Sequence, residues 1–219
     1  MTMWSEFQGH EGRKINKWVQ YFPVYERYLS RFRNQSIFVL EIGVSLGGSM
    51  ELWRKYFGPL ATIVGIDIDE ECRKHEINGV HIEIGSQADE FFLAQLIEKY
   101  CIPDIVIDDG SHQMAHLKKT FEYPYPKMSR SGIYLIEDLH TCYWTEFGGG
   151  GKESFIEFAK NIPDYLNAKH SRGMVAANGY ENNTFGISFF DSMIVVGRGN
   201  ANQYAPISAG GQWIKKQVR

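Results

Sequence analysis

Two short apolar segments that each end in acidic residues place the strongest constraint on how this chain folds. Residues 105–107 (Ile-Val-Ile) lead into Asp108-Asp109-Gly110-Ser111-His112, and residues 133–136 (Ile-Tyr-Leu-Ile) lead into Glu137-Asp138. Continuous apolar runs of this length are typical of parallel strands buried on both faces. Open α/β sheets collect their functional groups at the carboxyl ends of such strands. If the two strands are neighbours, four carboxylates and an imidazole meet at one edge of the sheet.

Carboxylates crowded in this way repel one another strongly unless a cation lies among them. The two motifs therefore predict a divalent metal site with a histidine beside it. The alternative interpretation is that these residues only cap the helices that follow the two strands.

The remaining apolar runs predict one α/β domain with a doubly wound, mostly parallel, seven-stranded sheet. Further strands are expected at residues 37–42, 62–66 and 80–84, with an antiparallel hairpin formed by 185–190 and 193–196. Helices are expected at residues 49–56, from Asp89 onward, at 113–121, and at 152–167 with an interruption near Pro163. The aromatic run 13–33 predicts helix that Pro23 kinks or divides. We divide the chain into an N-terminal helical segment (1–35), a catalytic core (36–199) and a tail (200–219).

Composition excludes several classes of function. The net charge of −3 gives no basic surface for nucleic acid, and no apolar stretch approaches the roughly 20 residues that span a bilayer. The N-terminus lacks the layout of a secretory signal. The three cysteines have no zinc-like spacing, which favours free thiols in a reducing compartment. We therefore expect a soluble, cytoplasmic protein.

A glycine-bearing turn, residues 43–48, joins the first strand to the next helix. Such a turn lets a ligand approach the backbone and directs helix N–H groups at it. Asp67, at the end of the second strand, is placed to accept the ribose hydroxyls of a nucleotide. Glu41 would repel a pyrophosphate but suits the cationic groups of S-adenosylmethionine. The alternative is that the glycines only make a tight turn, and that Ser86 and Gln87 form an ordinary loop instead of lining an adenine.

Several motifs resemble those of a known family, the metal-dependent sugar O-methyltransferases of macrolide biosynthesis. The resemblance is greatest to the mycinamicin 2-O-methyltransferase type, with tetracenomycin rhamnose methyltransferases and cephalosporin-hydroxylase-like proteins as relatives, and it covers residues 17 to 197. The motifs are residues 41–49 (EIGVSLGGS), 65–68 (GIDI), 85–89 (GSQAD), 107–112 (IDDGSH) and 136–144 (IEDLHTCYW).

The resemblance implies a class I methyltransferase fold, S-adenosylmethionine and magnesium as cofactors, and a sugar or glycoside hydroxyl as acceptor. It implies that Asp109, Glu137 and Asp138 bind the metal and that His112, beside Asp109, is the general base. Cofactor-binding positions are expected at Glu41, Gly43, Ser49, Asp67, Ser86, Gln87 and Asp108. A homo-oligomer is expected as well.

Three alternatives stay open at the level of sequence. A catechol-like acceptor also offers two adjacent oxygens to magnesium, and a relative that keeps the fold could bind cofactor without catalysis. A hydroxylase is the weakest alternative, because the chain shows no triad of two histidines and a carboxylate for iron. Tyr143 and Trp144 are candidates to stack on a sugar ring or to pack a lid, for which residues 148–151 (four glycines) would supply the hinge.

Overall fold

A seven-stranded sheet forms the centre of the computed structural model, which describes residues 2–199, 206, 207 and 209. Its strands are β1 (Phe38–Ile42), β2 (Thr62–Asp67), β3 (Val80–Ile84), β4 (Ile105–Asp108), β5 (Ile133–Ile136), β6 (Thr184–Phe190) and β7 (Met193–Arg198). They lie in the order β3-β2-β1-β4-β5-β7-β6. The first five are mutually parallel, and β7 is antiparallel to both of its neighbours. The predicted fold class is confirmed.

Helices cover both faces of this sheet. They are α1 (Met3–Gln8), α2 (Tyr21–Leu29), α3 (Gly48–Phe57), α4 (Glu90–Tyr100), α5 (Met114–Glu122), α6 (Phe155–Ala159), α7 (Ile162–Leu166) and α8 (Tyr180–Asn183). Successive residues of β1 pack into different layers: Val39 joins the core beneath α2 and α3, and Leu40 joins the core beneath α4 and α5. This alternation is the two-residue period of a strand buried on both faces. Within the described residues, no helix is long and apolar enough to cross a membrane.

The register of the central strands brings the acidic motifs together. Ile42 of β1 is paired with Asp108 of β4, which in turn is paired with Ile136 of β5. The ladder continues one residue past the strands, where the Asp109 N–H donates to the Ile42 carbonyl and the Glu137 N–H donates to the Asp108 carbonyl. The carboxyl ends of β1, β4 and β5 therefore lie side by side, which meets the condition under which the two acidic motifs converge.

The N-terminal third differs from the sequence prediction. Residues 10–20, here called the strap, form no helix, and α2 begins only at Tyr21. Pro23 lies in the first turn of α2, where its missing N–H leaves no helical hydrogen bond unmade, so the predicted kink is absent. The interruption predicted near Pro163 is present: the 152–167 segment forms two short helices, α6 and α7, and Pro163 lies in the first turn of α7. The predicted tail, 200–219, lies outside the described residues except for 206, 207 and 209.

The glycine turn after β1 is held against the loop after β4. Gly43 has a φ of +92°, and a Cβ added there would lie 2.2 Å from the carbonyl oxygen of Asp109. A side chain is disfavoured at this position for two reasons: the positive φ strains residues other than glycine, and the Asp109 carbonyl occupies the space that a Cβ would need. The close approach of the two loops therefore depends on the absence of a Cβ at Gly43.

We predict that Gly43→Ala lowers the free energy of unfolding by about 2–4 kcal/mol, because the added methyl group must push the two loops apart. Thermal or urea unfolding measures this loss. The matched control is Gly151→Ala, because Gly151 is exposed and a Cβ there would have no neighbour within 4 Å. Equal stability of the two variants would contradict the proposed role of the close approach.

Candidate active site

Three half-buried side chains form a group at the open end of the site, here called the outer cluster: Asp109, His112 and Asp138. One atom from each lies within 4.8 Å of the others. The His112 Nε2 atom is 3.8 Å from both Asp109 Oδ1 and Asp138 Oδ2. His112 and Asp138 each have a φ of +54°, a left-handed conformation that costs free energy in residues other than glycine. The backbone is thus held in an unfavourable conformation at two of the three positions that define the cluster.

A lysine from the strap lies directly behind the outer cluster. The Lys17 Nζ atom is 2.6 Å from Asp109 Oδ2, 2.8 Å from Glu137 Oε2 and 3.7 Å from Glu41 Oε1. Its side chain is only 3% exposed. Burial by itself would lower the pKa of the Lys17 ammonium, but the three carboxylates together raise it well above its ordinary value. Lys17, Glu41 and Glu137 are called the inner cluster below.

Two tyrosines, one helical turn apart on α2, hold the acidic pair that follows β5. The Tyr25 hydroxyl donates to Glu137 Oε1 at 2.5 Å, and the Tyr21 hydroxyl donates to Asp138 Oδ1 at 2.6 Å. Tyr21 also accepts a hydrogen bond from the Asp138 backbone N–H. Both carboxylate oxygens of Glu137 are therefore engaged, one by Lys17 and one by Tyr25. The structure places Glu137 behind the outer cluster, and its predicted role as a metal ligand stays a prediction.

Glu41 is fully buried at the end of β1. Its Oε2 atom accepts hydrogen bonds from the Ser49 hydroxyl and the Trp53 indole N–H, at 2.9 and 2.8 Å. Burial raises the pKa of Glu41 to about 7, against the opposing attraction of Lys17. Two residues predicted to bind cofactor, Glu41 and Ser49, are thus bonded to each other, and their direct contact with a ligand stays a prediction.

Asp108 and Gln87, also predicted to bind cofactor, form a buried support for the loop that carries His112. The Gln87 amide donates to Asp108 Oδ1, and its oxygen accepts from the Ser111 backbone N–H. The Tyr134 hydroxyl donates to the other carboxylate oxygen of Asp108. Burial raises the pKa of Asp108 to about 7, although Tyr134 and Gln87 oppose that change. These contacts give both residues a structural role; binding of the cofactor by them remains a prediction.

Asp67 and Ser86 lie half-buried at the ends of β2 and β3. Asp67 accepts hydrogen bonds from the backbone N–H groups of Val44 and Ser45 in the glycine turn. Burial would raise the pKa of Asp67, but backbone donors, with Ser45 foremost, hold it below its usual value. The Ser86 hydroxyl accepts from the Ala88 N–H. Asp67 therefore stays charged and fixes the turn, and the roles of both residues in binding the cofactor stay predictions.

A cavity of about 410 Å³ is lined on one side by the strap and on the other by the glycine turn, and it opens onto the outer cluster. Its lining consists of residues 14–17 of the strap, residues 43–49, Asp109, Gly110, His112 and Asp138. Its size lies within the range of small-molecule sites. The two halves of the predicted site, the glycine turn for a cofactor and the acidic group for the chemistry, therefore share one cavity.

Aromatic rings continue from His112 to the surface. Phe147 lies 6.3 Å from the His112 ring, Trp144 lies 6.0 Å from Phe147, and His140 lies 4.8 Å from Trp144. Trp18 of the strap completes the row at 5.4 Å from His140. Trp18 and Trp144 are 52% and 45% exposed. This row, called the aromatic wall, gives an incoming ring-shaped ligand an apolar surface beside the outer cluster.

Sequence reasoning missed Lys17, Trp18, Tyr21 and Tyr25 as site residues. All four lie in the run 13–33, whose apolar spacing predicts helix, with Trp18 and Tyr25 among the residues that carry that spacing. The charge of Lys17, immediately before Trp18 in that run, was the one sign in the sequence that this segment has a role besides packing.

Comparisons with known proteins agree with this geometry, although no protein-family model matches the chain. The chain is 40% identical over 134 residues to the mycinamicin VI 2''-O-methyltransferase of Micromonospora griseorubida. The matched segment covers 58% of this chain and 33% of the relative. It is 35% identical over 156 residues to a rhamnosyl tetracenomycin-C 2'-O-methyltransferase of Streptomyces olivaceus, covering 67% of this chain and 41% of the relative. The matched segments therefore cover 33% and 41% of these two relatives, well under two thirds of their length.

Solved structures give the same result over a longer stretch. The MycE methyltransferase of the mycinamycin pathway, in complex with Mg and SAH, has a TM-score of 0.83 at 28% identity and covers 93% of this chain and 56% of its own. A second MycE structure, which also contains mycinamycin VI, has the same TM-score and identity. The resemblance drawn from the motifs is confirmed: this chain is similar in sequence to sugar O-methyltransferases of antibiotic pathways and has the class I methyltransferase fold that MycE displays.

Proposed function

We propose that this protein transfers a methyl group from S-adenosylmethionine to a hydroxyl of a sugar or glycosylated natural product, with magnesium at the outer cluster. The observation that carries this proposal is the single cavity shared by the glycine turn and the outer cluster. The relatives support it, since they are named as O-methyltransferases of mycinamicin VI and of a rhamnosyl tetracenomycin, and MycE was solved with Mg, SAH and mycinamycin VI.

The donors of the outer cluster fit a hard divalent cation. Asp109 and Asp138 offer carboxylate oxygens, which magnesium prefers, and both are partly exposed, which leaves room for water or an acceptor hydroxyl. Asp109 and Asp138 would therefore hold the metal, with Glu137 predicted as a third acidic partner. A magnesium ion held there would lower the pKa of an acceptor hydroxyl and so make its deprotonation to the nucleophilic oxygen easier.

His112 is placed to remove the proton of the acceptor hydroxyl. Its Nε2 atom faces the carboxylates of Asp109 and Asp138, which would stabilise the imidazolium that forms when the nitrogen takes the proton. The hydroxyl oxygen must also lie in line with the methyl carbon of the sulfonium. The loop support from Gln87 and Asp108 keeps His112 in place for that alignment.

The glycine turn is the proposed cofactor site. The N-terminus of α3, which begins at Gly48, lies at the cavity and offers backbone N–H groups to a carboxylate. Asp67 lies at the end of β2, the position where an acidic residue binds ribose hydroxyls in this class of sheet. The homo-oligomeric assembly and the cytoplasmic location remain predictions.

The first test is incubation with S-adenosylmethionine, magnesium and a set of acceptors, with detection of the methylated product by mass spectrometry. Alkyl rhamnosides and a macrolide glycoside should gain one methyl group, and a chelator should abolish the reaction until magnesium is restored. If only catechol were methylated, the acceptor class would be a phenol and the proposed sugar acceptor would be wrong. Turnover that persists in the chelator would contradict the metal-dependent mechanism.

We predict that His112→Gln lowers kcat by about 10²–10⁴-fold, the usual contribution of a general base, with little change in cofactor affinity. Steady-state kinetics and calorimetric titration with S-adenosylhomocysteine measure the two quantities. His81→Gln is the matched control, because His81 is exposed on β3 and its ring lies against Tyr100, outside the lining of the cavity. Unchanged kcat in His112→Gln would exclude this residue as the base.

We predict that Trp144→Ala raises the KM for a glycoside acceptor by about tenfold, because the aromatic wall loses its central exposed ring. The KM for S-adenosylmethionine should stay within about twofold. Phe91→Ala, which removes another exposed ring near the start of α4, serves as the control. A rise in both KM values would indicate a folding defect instead of a lost acceptor contact.

A further inference from the structure

A second cavity lies between the short 3₁₀ segment Leu139–Tyr143 and the β6–β7 hairpin. Its volume is about 270 Å³. Complete small-molecule sites usually measure about 300–1,000 Å³, so this cavity is suited to one part of a larger ligand. Its lining consists of Leu139, His140, Tyr143, Ile156 and residues 189–194. These residues are distinct from the proposed metal ligands and from the glycine turn, so the role of the cavity is separate from theirs.

The lining of this second cavity is mostly apolar. Tyr143 and Phe189 are 69% and 46% exposed, although both carry large aromatic rings. Covering such rings with an apolar group is favourable, because it removes their surface from water. Among the described residues that line the cavity there is no lysine or arginine, and the one carboxylate, that of Asp191, is exposed. The cavity therefore favours an uncharged apolar ring and disfavours an anionic one.

His140 connects the second cavity to the aromatic wall, because it belongs to both. Its ring is held by Ser192 in the turn of the hairpin. The Ser192 hydroxyl oxygen lies 2.5 Å from His140 Nδ1 and accepts the His140 backbone N–H at 3.2 Å. On its other side the ring lies between Trp18 and Trp144, at 5.4 and 4.8 Å. The wall and the cavity thus form one continuous surface.

The hairpin turn is also linked directly to the outer cluster. The Tyr21 hydroxyl lies 2.6 Å from Asp138 Oδ1 and 3.2 Å from the Ser192 carbonyl oxygen. A single hydroxyl group therefore spans the gap between a carboxylate of the outer cluster and the turn that lines the second cavity. An acceptor whose sugar lies at the outer cluster can place its next ring against the hairpin.

We propose that the second cavity is an aglycone subsite, which holds the apolar ring attached to the methylated sugar. The occupant follows from the continuity of the cavity with the aromatic wall and from the volume, which is too small for a whole glycoside. Asp191 gives the subsite a preference for neutral over anionic aglycones. This inference rests on the proposed function, because it specifies which glycosides the active site accepts.

Two acceptors that differ only in the aglycone test the subsite: methyl α-L-rhamnoside and phenyl α-L-rhamnoside. Phe189→Ala should raise the KM of the phenyl glycoside by about fivefold, because one aromatic contact is lost. The KM of the methyl glycoside and the kcat of both reactions should not change. Phe185→Ala is the matched control, since Phe185 is also an exposed phenylalanine of β6 but lies outside the lining of the cavity.

A p-carboxyphenyl rhamnoside tests the charge preference. At low ionic strength its KM should exceed that of phenyl rhamnoside by about fivefold, because the Asp191 carboxylate repels the added one. Asp191→Asn should bring the ratio of the two KM values close to one. Asp164→Asn removes the same charge from an exposed position on α7, outside the cavity lining, and should leave the ratio as it is.

Titration of each variant with phenyl rhamnoside, followed by NMR in the presence of S-adenosylhomocysteine and magnesium, separates this inference from the function on which it rests. Methyl transfer that is insensitive to Phe189→Ala, or an equal rise in the KM of both glycosides, overturns the subsite while the function stands. Binding that weakens in Phe189→Ala but not in Phe185→Ala, without methylation of any acceptor, supports the subsite and contradicts the function. Absence of both binding and turnover overturns both.

The substituted positions lie outside the outer and the inner cluster. None of these variants therefore alters the proposed metal ligands or the base, and a change confined to the phenyl glycoside reports on the aglycone contact.

Discussion

The ion pair between the strap and the ends of the central strands is the interaction on which the site depends. Parallel strands β1, β4 and β5 end side by side, and each delivers a carboxylate to the same small volume. Buried charges of one sign are tolerated only when an opposite charge accompanies them. Lys17 supplies that charge from a segment that is remote in sequence and has no regular secondary structure. The ends of the strands supply the carboxylates, and the strap supplies the positive charge that stabilises them.

Around this ion pair, neutral donors position the remaining carboxylate oxygens. Tyr21 and Tyr25 project from one face of α2 to Asp138 and Glu137, while Ser49 and Trp53 of α3 hold Glu41. Hydrogen bonds to a charged acceptor are stronger than those between neutral groups, and they fix its direction as well as its position. The acidic residues are therefore oriented before any ligand arrives, which is the condition for catalysis by preorganised charge.

The strands were predictable from sequence and the strap was not, for one physical reason. A strand buried on both faces leaves a continuous apolar run, so β4 and β5 and the acids that follow them could be located without a structure. Residues 10–20 contact distant parts of the chain, and contacts of this kind produce no regular spacing of apolar residues in the local sequence. Ile15, Trp18 and Val19 continue the apolar spacing of the residues in α2, so the sequence predicted helix here as well. For the same reason the sequence identified Asp109, His112 and Asp138 as neighbours but gave no indication that Glu137 faces Lys17.

The position of the strap over α3 has a consequence for any shortened form of the protein. Arg13 donates to the Glu51 carboxylate, and Gly48 lies so near the strap that a Cβ there would be 2.3 Å from the Lys14 carbonyl oxygen. Trimming the first 20 residues would thus remove more than a surface extension. It would strip one wall from the cavity, and Glu41, Asp109 and Glu137 would be left facing one another without the Lys17 countercharge, so this partly exposed segment is needed to complete the site.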